Sequence, residues 1–177
     1  MENIDIVDEL GNKTGEVKSR EEVHEKGLLH KTVHIFVINN KKDILMQKRS
    51  LEKKTNPNKW TTSASGHLSA GDESREGAVR ELYEEIGVKA NEEELKYLFT
   101  IYEEGKHENL IDREVVDVYL IKRDMELNEF KLQKEEVSDV HWVQLEEFKK
   151  LIKNCEANDI VPHYEMFEKI ADIVTNI

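Results

Sequence analysis

Cysteine, proline and long apolar runs are scarce in this chain of 177 residues. A single cysteine, Cys155, excludes an intrachain disulfide, which fits a reducing compartment such as the cytosol. No apolar run reaches the roughly 18 residues that a membrane span needs. The first residues, MENIDIVDELG, lack the basic region and apolar core of a signal peptide. These absences predict a cytoplasmic protein without a membrane anchor.

Positive charge is also in deficit, because 26 Lys and Arg face 38 Asp and Glu, for a formal net charge of −12. A negative field of this size disfavours polymeric nucleic acid and anionic membrane surfaces as partners. A small anionic substrate stays possible, because a bound cation reverses the local sign of the charge. The apolar residues are clustered and periodic, so we expect a folded domain rather than a disordered chain.

Strand and helix patterns interleave along the chain. The segment IDIVDELGNKTGEV is typical of a hairpin, and SREEVHEKG of a short helix that Ser19 caps and Gly27 ends. We assign residues 1–27 to an N-terminal extension packed on a main domain of residues 28–177. The later strands and amphipathic helices predict an α/β fold in which helices cover the faces of a sheet.

One predicted helix gathers acidic residues in its second half, within the stretch SGHLSAGDESREGAVRELYEEIGV. Asp72 is placed to cap this helix and Gly87 to end it. At about 100° per residue, Glu81, Glu84 and Glu85 share one sector beside the apolar stripe. A solvated acidic face is one reading, because Asp and Glu make up 38 of the 177 residues, but like charges at these spacings repel each other. A hard divalent cation with oxygen ligands, such as Mg²⁺, would instead neutralise the group.

The glycines and the spacing resemble the Nudix box, G-x5-E-x7-R-E-U-x-E-E-x-G-U, where U is aliphatic. The matching residues are Gly66, Arg80, Glu81, Leu82, Glu84, Glu85, Gly87 and Val88. Asp72 stands where the first glutamate of the motif is expected. The resemblance implies a Nudix-like α/β/α sandwich with a mixed β-sheet. It also implies a hydrolase that uses Mg²⁺ or Mn²⁺ to cleave a nucleoside diphosphate linked to another group, a small-molecule diphosphate.

The roles of the box residues carry over by position. The predicted catalytic residues are Arg80, Glu81 and Glu85. The predicted metal ligands are Glu81, Glu84, Glu85 and the backbone carbonyl of Ser65, with Gly66 as the alternative carbonyl. Glu81 matches a residue that binds metal or acts as general base, and Arg80 one that orients the glutamates. Acids outside the box stay open as alternative general bases: Asp112, Glu114, Glu135 and Glu136. The number of metal ions and the choice between monomer and homodimer also stay open.

The resemblance extends to one branch, the type 1 isopentenyl-diphosphate isomerases and their Nudix-hydrolase relatives. It covers roughly residues 24–145 and rests on HEKGLLHKTVHIFV, QKRSLEKKTNPNKWTTSASGH, REVVDVY and EEVSDVHW. Arg49 and Lys53 match positions that contact the diphosphate in this branch. An arginine can clamp phosphate in a bidentate manner, and a lysine adds a compact charge. Together with Gly66 and His67 of the glycine turn, they form the predicted substrate-binding set.

Two chemistries are possible on this branch, and the glycine turn helps to separate them. The isomerase has a Cys-Gly-His turn with a catalytic cysteine, whereas this chain has Ser65, Gly66 and His67. A serine hydroxyl is a far weaker acid than a thiol. The isomerases also typically depart from the box glutamates, which this chain keeps. Both differences favour hydrolysis. Isomerase activity and a non-catalytic nucleotide-sensing module stay as alternatives.

The histidines give a weaker indication. His24, His30 and His67 resemble metal ligands of the isomerase. The segment between His24 and His30 is one residue shorter than in the isomerase, which argues against an intact metal site of that kind. His34, which alternates on the following strand, is predicted to be structural.

Overall fold

The computed structural model describes residues 2–107 and 109–177. Within them the strands are β1 (Asn3–Val7), β2 (Lys13–Ser19), β3 (His30–Ile38), β4 (Ile44–Arg49), β5 (Trp60–Thr61), β6 (Ala64–His67), β7 (Lys96–His107), β8 (Leu110–Lys122) and β9 (Val137–Val143). The helices are α1 (Arg20–Lys26), α2 (Ser74–Ile86), α3 (Leu145–Leu151) and α4 (Tyr164–Asn176). Three short 3₁₀ turns lie at Glu92–Glu94, Leu127–Glu129 and Ile152–Asn154.

Strand β3 is the centre of a mixed sheet. It pairs in parallel with β8 along its whole length, and antiparallel with β1, β4 and β6. Strand β7 extends the sheet beyond β8 and β9 extends it beyond β4, while the short β5 pairs with the opposite edge of β4 from β9. The parallel pair needs a long crossover between β3 and β8, and α2 lies within that crossover.

Both faces of the sheet are buried, which gives the predicted α/β/α layers. On one face Val33, Ile35 and Val37 pack with Leu82 and Ile86 of α2. The opposite face packs against α3 and α4 through a second cluster that includes Phe36, Val118, Phe148, Phe167 and Ile170. Because successive residues of β3 point to opposite faces, this one strand contributes to both cores.

The predicted helix ends are confirmed at three positions. The Ser19 hydroxyl accepts a hydrogen bond from the Glu22 amide at 3.3 Å at the start of α1. Gly27 and Gly87 end α1 and α2 with φ of +59° and +73°, left-handed values that glycine adopts without strain.

The predicted capping role of Asp72 is wrong. Helix α2 begins at Ser74, and Glu73 occupies the capping position without a side-chain capping bond. The Asp72 carboxylate instead accepts from the Ser69 amide at 3.2 Å and from Arg80 Nη2 at 3.4 Å. These partners hold it in the turn before the helix, so it cannot also cap the first amides.

Among the described residues, none of the helices has the length and apolar character needed to cross a membrane.

Candidate active site

Glu85 lies at the end of α2 and reaches the sheet. Its Oε2 accepts hydrogen bonds from Gln47 Nε2 at 2.7 Å and from the Ser65 amide at 2.9 Å. The residue is 6% exposed, and this burial raises the pKa of Glu85 to about 7, although both hydrogen bonds favour the ionised form. Glu85 is therefore a fixed, buried carboxylate.

The Ser65 backbone faces the same carboxylate. A strand residue exchanges both its N–H and its C=O with one neighbour, so the two groups point to the same side. Since the Ser65 amide points to Glu85 rather than to β3, the Ser65 carbonyl lies on that edge as well. This is the orientation that the predicted backbone ligand requires.

Glu81 lies one helical turn earlier, directly over Gly66. A Cβ added at Gly66 would overlap the Glu81 carboxylate, so any larger residue at this position would force that carboxylate to move. Burial raises the pKa of Glu81 to about 8, and the nearby charge of Glu85 adds to the effect. The requirement for Gly66 is thus steric.

Arg80 ties the glutamates to the turn that precedes the helix. Its Nη1 donates to Glu81 Oε1 at 2.7 Å and to Glu84 Oε2 at 3.1 Å. Its Nη2 donates to the His67 carbonyl at 3.0 Å, in addition to the Asp72 contact. A single guanidinium therefore fixes the position of both carboxylates, as the orienting role requires.

The side chains of the three box glutamates converge less closely than the spacing of about 100° per residue predicts. The Glu84 side chain is 49% exposed, whereas that of Glu81 is 12% exposed. Glu84 thus lies at the rim, and Glu81 and Glu85 lie inside. The donors of this site are carboxyl oxygens, and burial raises the pKa values of the carboxyl groups. Such hard oxygen donors fit a divalent cation such as Mg²⁺ or Mn²⁺.

The predicted phosphate-binding residues already have protein partners. Arg49 Nε and Nη2 donate to the Thr55 carbonyl at 3.1 and 2.9 Å, which anchors the guanidinium to its own loop. Lys53 forms an ion pair with Glu136, one of the alternative general bases. A diphosphate would have to share or replace these contacts.

His24, His30 and His67 form a compact cluster, so the expectation drawn from the shortened segment is wrong. Their ring centroids lie 5.0 to 5.1 Å apart. Gly27 explains the difference, because its left-handed conformation ends α1 and lets the chain reach β3 within a short turn. His24 comes from the predicted N-terminal extension, which thus contributes to the site.

Acids from β8 complete the histidine cluster. Asp112 Oδ1 lies 3.2 Å from His24 Nε2, and Glu114 Oε1 lies 3.8 Å from Nε2 of both His30 and His67. Burial raises the pKa of Glu114 to about 8, and the neighbouring Asp112 adds to the effect. Two of the alternative general bases are therefore part of this cluster.

The buried histidines have the protonation state of metal ligands. His30 Nε2 is buried and has no hydrogen-bond partner within the described part of the chain. Burial lowers the pKa of His30 to about 4 and also lowers that of His67, so both rings are neutral near pH 7. An orphaned neutral nitrogen beside two imidazoles and carboxylates fits a transition-metal ion.

Sequence reasoning missed Gln47, which holds Glu85 from strand β4. An isolated glutamine in an apolar strand is a weak signal, although its burial at 1% exposure demands a partner. Glu135, one of the alternative general bases, is exposed.

The family model described as the NUDIX domain matches residues 28–164. Nudix hydrolase 3 of Arabidopsis thaliana is 39% identical over 159 residues, which cover 85% of this chain and only 20% of that protein. Isopentenyl-diphosphate Delta-isomerase 2 of Photorhabdus laumondii is 33% identical over 150 residues, with 85% and 81% covered.

A solved structure, that of DR0079 from Deinococcus radiodurans, shares the fold. The TM-score is 0.73 at 18% identity, and the match covers 96% of this chain and 99% of that one. This likeness extends the agreement in architecture beyond the segment that the family model matches. By the family model, which matches most of the chain, and by identity to its relatives, the chain belongs to the NUDIX family.

Proposed function

We propose that this protein hydrolyses a diphosphate linkage in a small nucleoside-diphosphate-type substrate, with Mg²⁺ or Mn²⁺ as cofactor. The observation that supports this most strongly is the pair of buried box carboxylates, Glu81 and Glu85, whose pKa values burial raises to about 8 and 7. A buried carboxylate pair is costly when ionised, and a bound divalent cation removes that cost.

The metal ligands in this proposal are Glu81, Glu84, Glu85 and the Ser65 carbonyl. Mg²⁺ held by these residues would supply Lewis acidity, which would lower the pKa of water and stabilise negative charge on a diphosphate. Gln47 and the Ser65 amide hold Glu85 in a fixed position, and Arg80 does the same for Glu81. Fixed ligands matter because a small displacement at a reacting centre is costly in rate.

Glu81 is the best candidate for the general base. A divalent cation bound beside it would offset the burial that raises the pKa of Glu81, so the carboxylate would be ionised and able to accept the proton of the attacking water near neutral pH. The other acids have different partners, since Asp112 and Glu114 contact the histidines and Glu136 pairs with Lys53. Arg49, the last residue of β4, and Lys53, in the loop that follows it, are the proposed contacts for the diphosphate.

Isomerisation of isopentenyl diphosphate is a second candidate, favoured by the histidine cluster and by the isomerase relatives. Ser65 argues against it, because the turn has no thiol. The one cysteine is no substitute, since Cys155 is fully buried in the core beside α4 and burial raises its pKa. The intact set of box glutamates, from which the isomerases typically depart, also favours hydrolysis.

The test is a substrate panel with Mg²⁺: nucleoside diphosphates, nucleotide sugars, dinucleoside polyphosphates and isopentenyl diphosphate. We expect phosphate-bond cleavage that Glu85→Gln removes. Glu76→Gln is the matched control, because it makes the same change at an exposed position of the same helix. Conversion of isopentenyl diphosphate without phosphate release would contradict the proposal. So would tight binding of a nucleotide with no turnover.

A further inference from the structure

A second histidine-containing cluster lies outside the residues assigned so far. His34 of β3, Glu103 of β7 and His163, the residue before α4, each offer a ligand atom within 4.8 Å of the others. His163 Nδ1 lies 2.9 Å from Glu103 Oε1 and 2.8 Å from Oε2. The rings of His34 and His163 are nearly perpendicular, with centroids 5.0 Å apart. Three elements that are distant in sequence thus converge on one point.

The surroundings of this cluster are largely apolar. The His163 ring packs edge-on against Phe167, which itself packs against Phe36 in the core beneath α4. The Glu103 and His163 side chains are only 22% and 17% exposed. Polar groups in such a place cost free energy unless their hydrogen-bonding or coordination capacity is used. If the cluster had only a structural role, hydrogen bonds within the protein would have to satisfy all three side chains.

His34 is not satisfied by the protein. It is 6% exposed, and its Nδ1 has one long contact, to the Thr62 hydroxyl at 3.4 Å. Its other ring nitrogen, Nε2, makes no hydrogen bond to residues 2–107 or 109–177, and this atom is not fully enclosed, so an ion or water can reach it. Burial lowers the pKa of His34 to about 3, so the ring is neutral near pH 7 and can offer a lone pair.

The cluster is separate from that of His24, His30 and His67. His30 and His34 share a face of β3 but lie four residues apart, about 13 Å at 3.3 Å per residue. Their acids face each other across the β7–β8 ladder, where Glu103 is the register partner of Glu114. The two clusters therefore lie side by side on one face of the sheet, each with its own donors.

We propose that His34, Glu103 and His163 bind a transition-metal dication of the Zn²⁺ class. Two imidazoles and one carboxylate are a donor set that suits Zn²⁺ or Co²⁺, whereas Mg²⁺ and Ca²⁺ prefer oxygen ligands. The ion joins β3 and β7 to the start of α4. It thereby fastens α4 to the sheet, and three protein ligands leave a fourth position for water or for a group of a ligand.

The experiment measures bound Zn²⁺ in the full-length chain after equilibrium dialysis. The His24→Gln/His30→Gln double variant disables the neighbouring cluster and serves as the background. We expect about one equivalent of Zn²⁺ to remain there, and adding His163→Gln or Glu103→Gln to remove it. With Mg²⁺ in excess to fill the box carboxylates, added Zn²⁺ should raise the melting temperature of the background further, and adding His163→Gln or Glu103→Gln should abolish this additional shift.

Circular dichroism and the melting temperature in chelator establish that each variant folds. If His163→Gln does not fold, the Zn²⁺ content of Glu103→Gln tests the proposal. This substitution keeps the shape of the side chain and removes only its charge. Equal Zn²⁺ content with and without these substitutions overturns the proposal. So does an absence of bound Zn²⁺ in the folded background, which would leave a purely hydrogen-bonded cluster.

Discussion

The box helix and the histidine-bearing face of the sheet contribute opposite kinds of metal ligand. On α2, burial raises the pKa values of Glu81 and Glu85, so a positive ion is needed to keep these oxygens charged. On β3, burial lowers the pKa values of His30 and His34, so these nitrogens are neutral without any ion. The same physical cause, loss of water, prepares one region for hard cations and the other for borderline ones. The following predictions test that division.

The largest effect is expected for Glu85→Gln compared with His30→Gln. Loss of the Glu85 charge should reduce kcat/KM for the diphosphate substrate by more than the roughly 100-fold that changes around a metal ligand can cost. His30→Gln should reduce it far less, because His30 belongs to the other region. Steady-state kinetics with saturating Mg²⁺ checks both. Equal losses of kcat/KM in the two variants would show that one substrate needs both regions at once. That result would contradict the division between the two regions.

Gly66→Ala should disable the box region without changing any charge. The added Cβ overlaps the Glu81 carboxylate and must displace it, at about 1–3 kcal/mol of stability and with a large loss of activity. Gly105→Ala on β7 is the matched control, since its Cβ would meet only ordinary contacts. Denaturant unfolding and kinetics measure the two effects. Unchanged activity in Gly66→Ala would show that the Glu81 position is unimportant.

Arg80→Lys should lower kcat/KM by about 10-fold to 100-fold, since lysine cannot reproduce the fork that holds both Glu81 and Glu84. The change keeps the positive charge, so it separates geometry from electrostatics. Mg²⁺ titrations of activity should show a weaker apparent affinity for the ion. An unaltered Mg²⁺ dependence would mean that Arg80 does not position the ligands.

The smallest effects concern stability against pH in chelator. A carboxyl group with a raised folded pKa binds its proton more tightly in the folded state, so stability falls as pH rises from about 4.5 to 8. A histidine with a lowered folded pKa does the reverse, so its share of stability is lost as pH falls from about 6.5 to 4. Between pH 6.5 and 8 only the carboxyl effect acts.

Stability should therefore decline over that interval by on the order of 1 kcal/mol per pH unit for each such group. Glu81→Gln should flatten the decline, and His34→Gln should leave it unchanged. Urea unfolding at a series of pH values gives the slopes. A rise in stability over the same interval would contradict the assignment of the shifts.

The sequence predicted the box region well because its information is local. Gly66, Arg80 and the glutamates lie within one loop and one helix, where spacing fixes relative position. The assignment of Asp72 as a helix cap was wrong because its carboxylate accepts hydrogen bonds from the Ser69 amide and from Arg80 instead. These contacts depend on the fold of the turn. The exposure of Glu84 likewise depends on how α2 is rotated against the sheet.

The histidine region was harder to predict because its members are far apart along the chain. Glu103 and His163 are separated by 60 residues and belong to no recognised spacing. Counting residues between His24 and His30 led to the wrong expectation, since the φ of Gly27 rather than the segment length decides where His30 lies. His34 was assigned a structural role from strand alternation, which shows the face but not the neighbours.

The central claim is that box carboxylates support attack of water on a diphosphate. It is tested most directly by hydrolysis in ¹⁸O-labelled water with Mg²⁺, followed by mass analysis of the products. We predict ¹⁸O in a phosphate product of the wild type and of Glu76→Gln, and no ¹⁸O in a product of Glu85→Gln. Turnover of isopentenyl diphosphate to its isomer, with no labelled phosphate from any member of the panel, would contradict it.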